Sequence, residues 1–571
     1  MNTLRIVSNC TVLGAVGLAA LIGCGSAATS ETEQDGNTVE STLSPLSGHN
    51  DRRFDWWRGE RARRQTELDA YVASNRADFD ALRRNPAGNV GVPVILFRLL
   101  PELFPEIWGA PAANFADSFS KIGLAADPFE PSRLLPLGLG FSGANPPIAT
   151  PAGEVRVNVV QVTCSSCHTG RVEVASGKIL PLIGAPNTQF QFYRYRALLA
   201  ASANHPGLTA DRFVGAIRAK SAGWLYNDPA MATQEALETA IFLANPDAVL
   251  TAFKAGVNAG GARVRATLLA TTYAVPNAPN LSGPNPGSMD AMAGFASLVV
   301  DPAKFASVAE MAAVLPPAPA SVDFQPLWRG ADRGGHKWGN DVANPYFANA
   351  FAAFGMIGSP TAVDMATVGA STRFGERLPP TPYPFDVDFP SARRGQNIFA
   401  KKCVSCHAPG ETKVFTPEES GTDPNRAKVL TPYTVAGLRM AARVACNDPV
   451  TCSDHGNPVA DEAILRITGG IAAVPLAGIW ARAPYLHNGS VPTLRALLTG
   501  DRPAKFFRGN VAYDPKDVGF ASDAPQTPSS AEYDTTKAGN SNTGHIGSNF
   551  GGPFNQTPHE LDDLLEFLKT L

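Results

Sequence analysis

Two short segments constrain this chain more than anything else in it: Cys164-Ser165-Ser166-Cys167-His168 and Cys403-Val404-Ser405-Cys406-His407, both of the form Cys-x-x-Cys-His. Two thiols at this spacing add to the two vinyl groups of one haem, and the adjacent imidazole then sits beneath the iron. With eight Cys and nine His in 571 residues, chance would supply roughly 0.002 such motifs, yet the chain has two. The motifs therefore predict two covalently bound haem c groups, attached through Cys164, Cys167, Cys403 and Cys406. His168 and His407 are their expected proximal iron ligands. A zinc site competes poorly, because two Cys and an immediately following His do not easily wrap one tetrahedral ion. A thioredoxin-like redox pair is the other competing reading of Cys-x-x-Cys. A structural calcium is left open.

The remaining cysteines sort by position: Cys10 and Cys24 near the N-terminus, and Cys446 with Cys452 as a third close pair. After Arg5 an apolar stretch runs to Gly23, too short for a comfortable membrane span, so residues 1–23 read as a signal peptide. Leu21-Ile22-Gly23-Cys24 resembles the bacterial lipobox, which implies acylation of Cys24 and membrane contact only through that anchor. An ordinary signal peptide with an incidental Cys is the alternative. Gly25, by analogy with lipoprotein sorting, favours the outer membrane, facing the periplasm or the surface. Residues 24–50 are too polar to bury a core and read as a tether. In an oxidising compartment, Cys446 and Cys452 predict a loop-closing disulfide.

The net charge of −3, with acidic and basic residues interspersed, leaves no basic stripe for phosphates, so nucleic acid is not an expected partner. Hydrophobic content of 44% provides ample core for two or three domains. His168 and His407 stand 239 positions apart, more than a minimal cytochrome c domain requires. The expected fold is mainly α: two cytochrome c-like haem domains, 146–385 and 386–571, with large insertions and an N-terminal extension at 51–145. Ala-rich segments between Tyr193 and Val314, broken by Gly, Pro and Asn, predict helices joined by loops. Gly395, Ile398 and Phe399 recur at helical spacing before the second motif. At the C-terminus Thr557 is an expected cap, Pro558 suits a first turn, and Leu561, Leu564, Leu565 and Leu568 form one apolar face. No repeat shorter than the two haem units is evident.

The segment Trp480-Ala481-Arg482-Ala483-Pro484-Tyr485-Leu486-His487-Asn488-Gly489-Ser490 resembles the Tyr-x-His-x-Gly-Ser region of bacterial di-haem cytochrome c peroxidases and the related methylamine-pathway di-haem enzyme. The tail from Arg502 to Phe520, followed by Asn540-Ser541-Asn542-Thr543-Gly544-His545, is similar to the di-haem rubber oxygenases. Upstream of about residue 300 only the first haem motif and Gly184-Ala185-Pro186-Asn187 carry the resemblance. Two departures from the peroxidase pattern matter. Residues 495–505 lack the Met that ligates the second haem there, and Lys178 to Asn187 lacks the distal His of the first. The resemblance implies His545 as the missing ligand, against a solvent-exposed loop His. It implies His487 as part of the network around the second haem, and Trp338 as an electron relay or pocket wall, against plain core packing. Gln234 and Glu238 lie one helical turn apart; a polar distal pocket is one reading and an exposed helix face the other. His49, His205, His336, His455 and His559 show no ligand spacing, although His336, two positions before Trp338, is a candidate to approach the first haem.

The resemblance implies a haem-dependent oxidoreductase. The first expectation is a dioxygenase that uses O2 at the His168 haem, with His168, Trp338 and His487 in catalytic roles, to oxidise an apolar unsaturated substrate such as polyisoprene or a fatty acid. The second is a peroxidase that reduces H2O2 with electrons from a small redox protein, and the third is an electron-transfer cytochrome.

Overall fold

The structure is a computed structural model that describes residues 52–143, 147–269, 286–291, 299–301, 304–315, 319–410, 412–445, 453–454, 457–458, 464–554 and 557–571. The expected signal peptide, Cys24, the tether, the pair Cys446 and Cys452, His49 and His455 lie outside these residues. Those described belong to one compact unit, Ser41–Leu571.

Helix dominates at 46%, but the architecture is mixed rather than mainly α. The described residues contain one three-stranded and seven two-stranded sheets, and every strand pair in them is antiparallel. The departure from helix is concentrated at the first haem motif. Asn158–Val162, rich in β-branched Val, pairs with Val92–Pro93 on one side and Leu139–Gly143 on the other. It delivers the chain directly into the short helix Ser165–His168. A hairpin, Thr169–Ala175 with Lys178–Ile183, follows at once.

The second motif has a helical setting, as its sequence predicts. Phe389–Lys402 runs into the short helix Val404–His407 and packs across the final helix Pro558–Leu568. Gly395 makes the crossing possible: a Cβ there would stand 1.9 Å from the Asp563 carbonyl oxygen. Arg394 clamps the same place with two 2.7 Å hydrogen bonds to the Asp563 carboxylate. Leu561, Leu564, Leu565 and Leu568 are all buried. Pro558 occupies the first turn, but Thr557 makes no side-chain cap hydrogen bond.

The expected Ala-rich helices form at Phe192–Ala203, Ala210–Arg218, Ala232–Ala244 and Pro246–Leu269. At the N-terminal side, Asp55–Ser74 is fastened to distant parts of the chain. Trp57 donates to the Phe385 carbonyl at 3.0 Å, and Arg58 grips Asp386 in a bidentate pair. Tyr71 donates to the Phe374 carbonyl at 2.7 Å. Among the described residues no helix is long and apolar enough to cross a membrane.

Candidate functional site

Each Cys-x-x-Cys-His helix opens onto its own cleft. Cys164, Cys167 and His168 line the first, and Cys403, Cys406 and His407 the second. Open mouths included, the clefts contain about 1410 and 1340 Å³ of space. None of the four cysteines is in a disulfide, and burial pushes the Cys167 thiol up to about 12 and the Cys403 thiol up to about 11.

The backbone fixes the proximal ring of the second motif. His407 Nδ1 donates to the Val474 carbonyl at 2.8 Å, which leaves Nε2 as the free ligating nitrogen. The His168 ring faces the Gln325 carbonyl without closing a hydrogen bond. Burial lowers both imidazoles, His168 to about 4, and a neutral ring is the form that binds a metal.

Gln325 and Val474 begin two copies of one loop, 149 positions apart. Gly330–Asp332 and Ile479–Ala481 are equivalent 3-10 turns. Arg333 donates to the Pro326 carbonyl at 2.7 Å, and Arg482 to the Pro475 carbonyl at 2.8 Å. The bridge between His336 and Val342 matches that between Tyr485 and Val491. Left-handed residues recur at the same places: Lys337 (φ 65°) with Leu486 (φ 69°), and Asn340 (φ 54°) with Gly489 (φ 62°). The repeat escapes the sequence because Pro, Leu, Arg and Val are its only identities from 325 to 342.

Trp338 and His487 are equivalent positions in these copies. His487 is buried in the second cleft, with Nδ1 3.4 Å from Thr422 Oγ1 and Nε2 without a partner. Burial, with Arg426 nearby, pushes it down to about 3. Trp338 lines both clefts, and its Nε1 donates to the Asp323 carbonyl at 2.8 Å. The Asp323 amide in turn donates to the His487 carbonyl at 2.8 Å, and its carboxylate accepts from Arg508 at 2.7 Å. Trp338 and His487 thus share one buried anchor.

His545 stands across the second cleft from His407, with ring centroids 6.3 Å apart. An imidazole nitrogen binds a first-row metal at roughly 2.0–2.1 Å and the ring centre lies about 1.2 Å beyond, so two axial imidazoles place their centroids roughly 6.4 Å apart. The observed gap fits one ion between them. His545 is held in a left-handed conformation (φ 54°) by its amide, which donates to the Ser420 carbonyl at 3.0 Å. Such strain persists where the surroundings enforce it. Burial, then the neighbouring His407, lowers it to about 4.

Residues 470–508 match the RoxA-like, cytochrome c-like family model. That span holds the second copy of the loop, from Val474 through Arg482, Tyr485 and His487. Residues 79–168 match the Y4iN-like domain model, which ends on His168. Three similar proteins come from Sinorhizobium fredii (strain NBRC 101917 / NGR234). The uncharacterized protein y4iM is 33% identical over 45% of this chain and 66% of its own length. The uncharacterized proteins y4iJ and y4iN are 34% and 36% identical, over 32% and 20% of this chain and 39% and 57% of their own lengths. The chain thus spans less than two thirds of each relative. The RoxA-like match points to a haem oxidoreductase with covalently bound haem c.

The first cleft differs from the second. Among the described residues no aromatic or imidazole ring makes a ring contact with His168. Phe324, Ala348, Phe351, Ala352 and Met356 give it apolar walls, and His336 and Lys337 line it too. Burial pushes His336 down to about 3 and Lys337 down to about 8. The segment Lys178–Asn187 is occupied by a strand and a turn whose Asn187 amide donates to the Cys167 carbonyl at 2.9 Å. Glu238 is neither in a cleft nor on an exposed face, a correction to both readings of that pair. It is buried and accepts from the Asn158 amide, Tyr226 Oη and Gln234 Nε2 at 2.8, 2.8 and 2.6 Å. His205 lies near Glu106, away from both clefts. Sequence reasoning missed Arg333, Arg426, Lys337 and Asp323, which no motif marks. Among the described residues no group of three or more His, Cys, Asp or Glu could hold a bare ion.

Proposed function

We propose that this chain carries two covalently attached haem c groups and acts as an exported oxidoreductase, using O2 at the first cleft to oxidise an apolar, unsaturated substrate of the polyisoprene or fatty-acid type. The separation of His407 and His545 carries the haem reading, because it matches two imidazoles on one iron. The loop repeat supports a second, equivalent site above His168.

The haem iron, when bound, supplies the redox chemistry, and the protein decides access and electron flow around it. His168 and His407 would hold the iron as neutral imidazoles. The apolar walls of the first cleft exclude water and accept a hydrocarbon chain. His545 would close the second site, which leaves the first cleft as the place where O2 and substrate could meet. Trp338, lining both clefts, spans the gap between the sites.

We place the haem-bearing segments at 146–385 and 386–571, with 51–145 packed over them, and the whole outside the inner membrane on an acylated Cys24. The membrane contact is that anchor alone, and nucleic acid does not enter the reading. A second reading, H2O2 reduction with electrons from a small redox protein, is favoured by the position of Trp338 between the clefts. Oxygen uptake separates the two. Haem-loaded protein, given polyisoprene latex or an unsaturated fatty acid, is expected to consume O2 and yield oxidised products without added reductant. Turnover only with H2O2 and a reduced cytochrome would establish the second reading instead.

A further inference from the structure

Arg333 and Arg482 hold equivalent places in the repeated loop, and each lines its own haem cleft as well as a third cavity between them. Each guanidinium lines the same cleft as the proximal imidazole of its own motif, Arg333 with His168 and Arg482 with His407. Backbone carbonyls hold both side chains. Arg333 donates to Pro326 at 2.7 Å, while Arg482 donates to Pro475 at 2.8 Å and also to Ala477.

What both lack is an anion. Among the described residues neither makes an ion pair with a carboxylate. Arg482 Nε is buried without a partner. Burial lowers both guanidinium groups, and Arg333 lowers Arg482 further through like charge. Two crowded cations without counter-ions are costly. A planar guanidinium fork is complementary to a carboxylate, which it binds through parallel hydrogen bonds.

We propose that Arg333 and Arg482 each bind a carboxylate of the tetrapyrrole attached in their own cleft. The assignment rests on the haem reading above and follows from place: each cation stands beside the imidazole that would ligate the iron. The other source of the same chemistry is a free anion from solution in the shared cavity.

The test uses the haem-loaded protein, with haem content measured first. Absence of covalent haem in the unaltered chain would overturn the function reading, and this inference with it. With haem present, redox titrations of both centres are compared across pH 5–9 for the unaltered protein, Arg333→Gln, Arg482→Gln and Arg482→Lys. Removing a positive charge favours ferric iron, so Arg482→Gln is expected to lower the potential of the His407 haem alone. The pH at which that potential begins to fall should move up by about one to three units, as the carboxylate loses its cation. Arg333→Gln should do the same for the His168 haem, and Arg482→Lys should stay near the unaltered protein. Unchanged potentials at full haem content would overturn the assignment. So would equal shifts at both centres, or potentials that track added phosphate.

Discussion

His407 and His545 face one another with ring centroids 6.3 Å apart and planes inclined by 38°, although 138 positions separate them in the chain. Opposing backbone bonds hold the pair: His407 Nδ1 on the Val474 carbonyl and the His545 amide on the Ser420 carbonyl. Under the proposed function these two imidazoles would hold one iron from opposite sides of the cleft.

Replacing His545 by Ala should leave covalent haem content unchanged, because Cys403 and Cys406 are untouched. It should convert one low-spin haem to high-spin in the visible spectrum. A variant spectrum identical to that of the unaltered protein would place the sixth ligand elsewhere.

Gly395 lets two helices cross at close range, and Ala there would drive a Cβ to 1.9 Å from the Asp563 carbonyl. Backbone must shift to relieve such a contact, so Gly395→Ala should destabilise the fold by about 1–3 kcal/mol. Denaturant unfolding followed by circular dichroism measures this. A midpoint equal to that of the parent would show that the crossing tolerates a side chain.

The buried histidines set a pH dependence. Burial holds His336 and His487 at about 3 in the fold, against an ordinary value of 6.5. Below pH 6.5 the unfolded chain therefore binds protons that the folded chain refuses. The stability from this source is present above pH 6.5 and is lost as pH falls toward 3, at about 1.4 kcal/mol per pH unit for each proton. Asp323, pushed up to about 6 by burial, works in the opposite sense. The difference between parent and His487→Gln isolates the histidine. Melting temperatures from pH 7 to 4 should fall less steeply in the variant, and parallel slopes would count against a buried neutral His487.

The sequence makes the haem attachment points legible because covalent chemistry dictates their spacing. The helices Phe389–Lys402 and Pro558–Leu568 follow from periodicity, but their close crossing at Gly395 does not, because it depends on a missing side chain meeting a distant carbonyl. His545 required a family resemblance, since nothing in a Gly- and Asn-rich loop shows that its residue lies opposite His407. The strands around Cys164 and the loop repeat at Arg333 and Arg482 were not legible. Their equivalence is carried by backbone conformation, by Lys337 and Leu486 both left-handed, and by carbonyls that any residue supplies. Glu238 looked like an exposed helix face because its partners, Asn158 and Tyr226, come from separate parts of the chain.

Two haem centres of different coordination on one chain can be resolved by quantitative paramagnetic resonance of the ferric protein. Two iron signals of equal weight are expected: a low-spin bis-imidazole signal from the His407 centre and a high-spin signal from the His168 centre. A single iron per chain would contradict this, as would two low-spin signals of equal weight with no high-spin component.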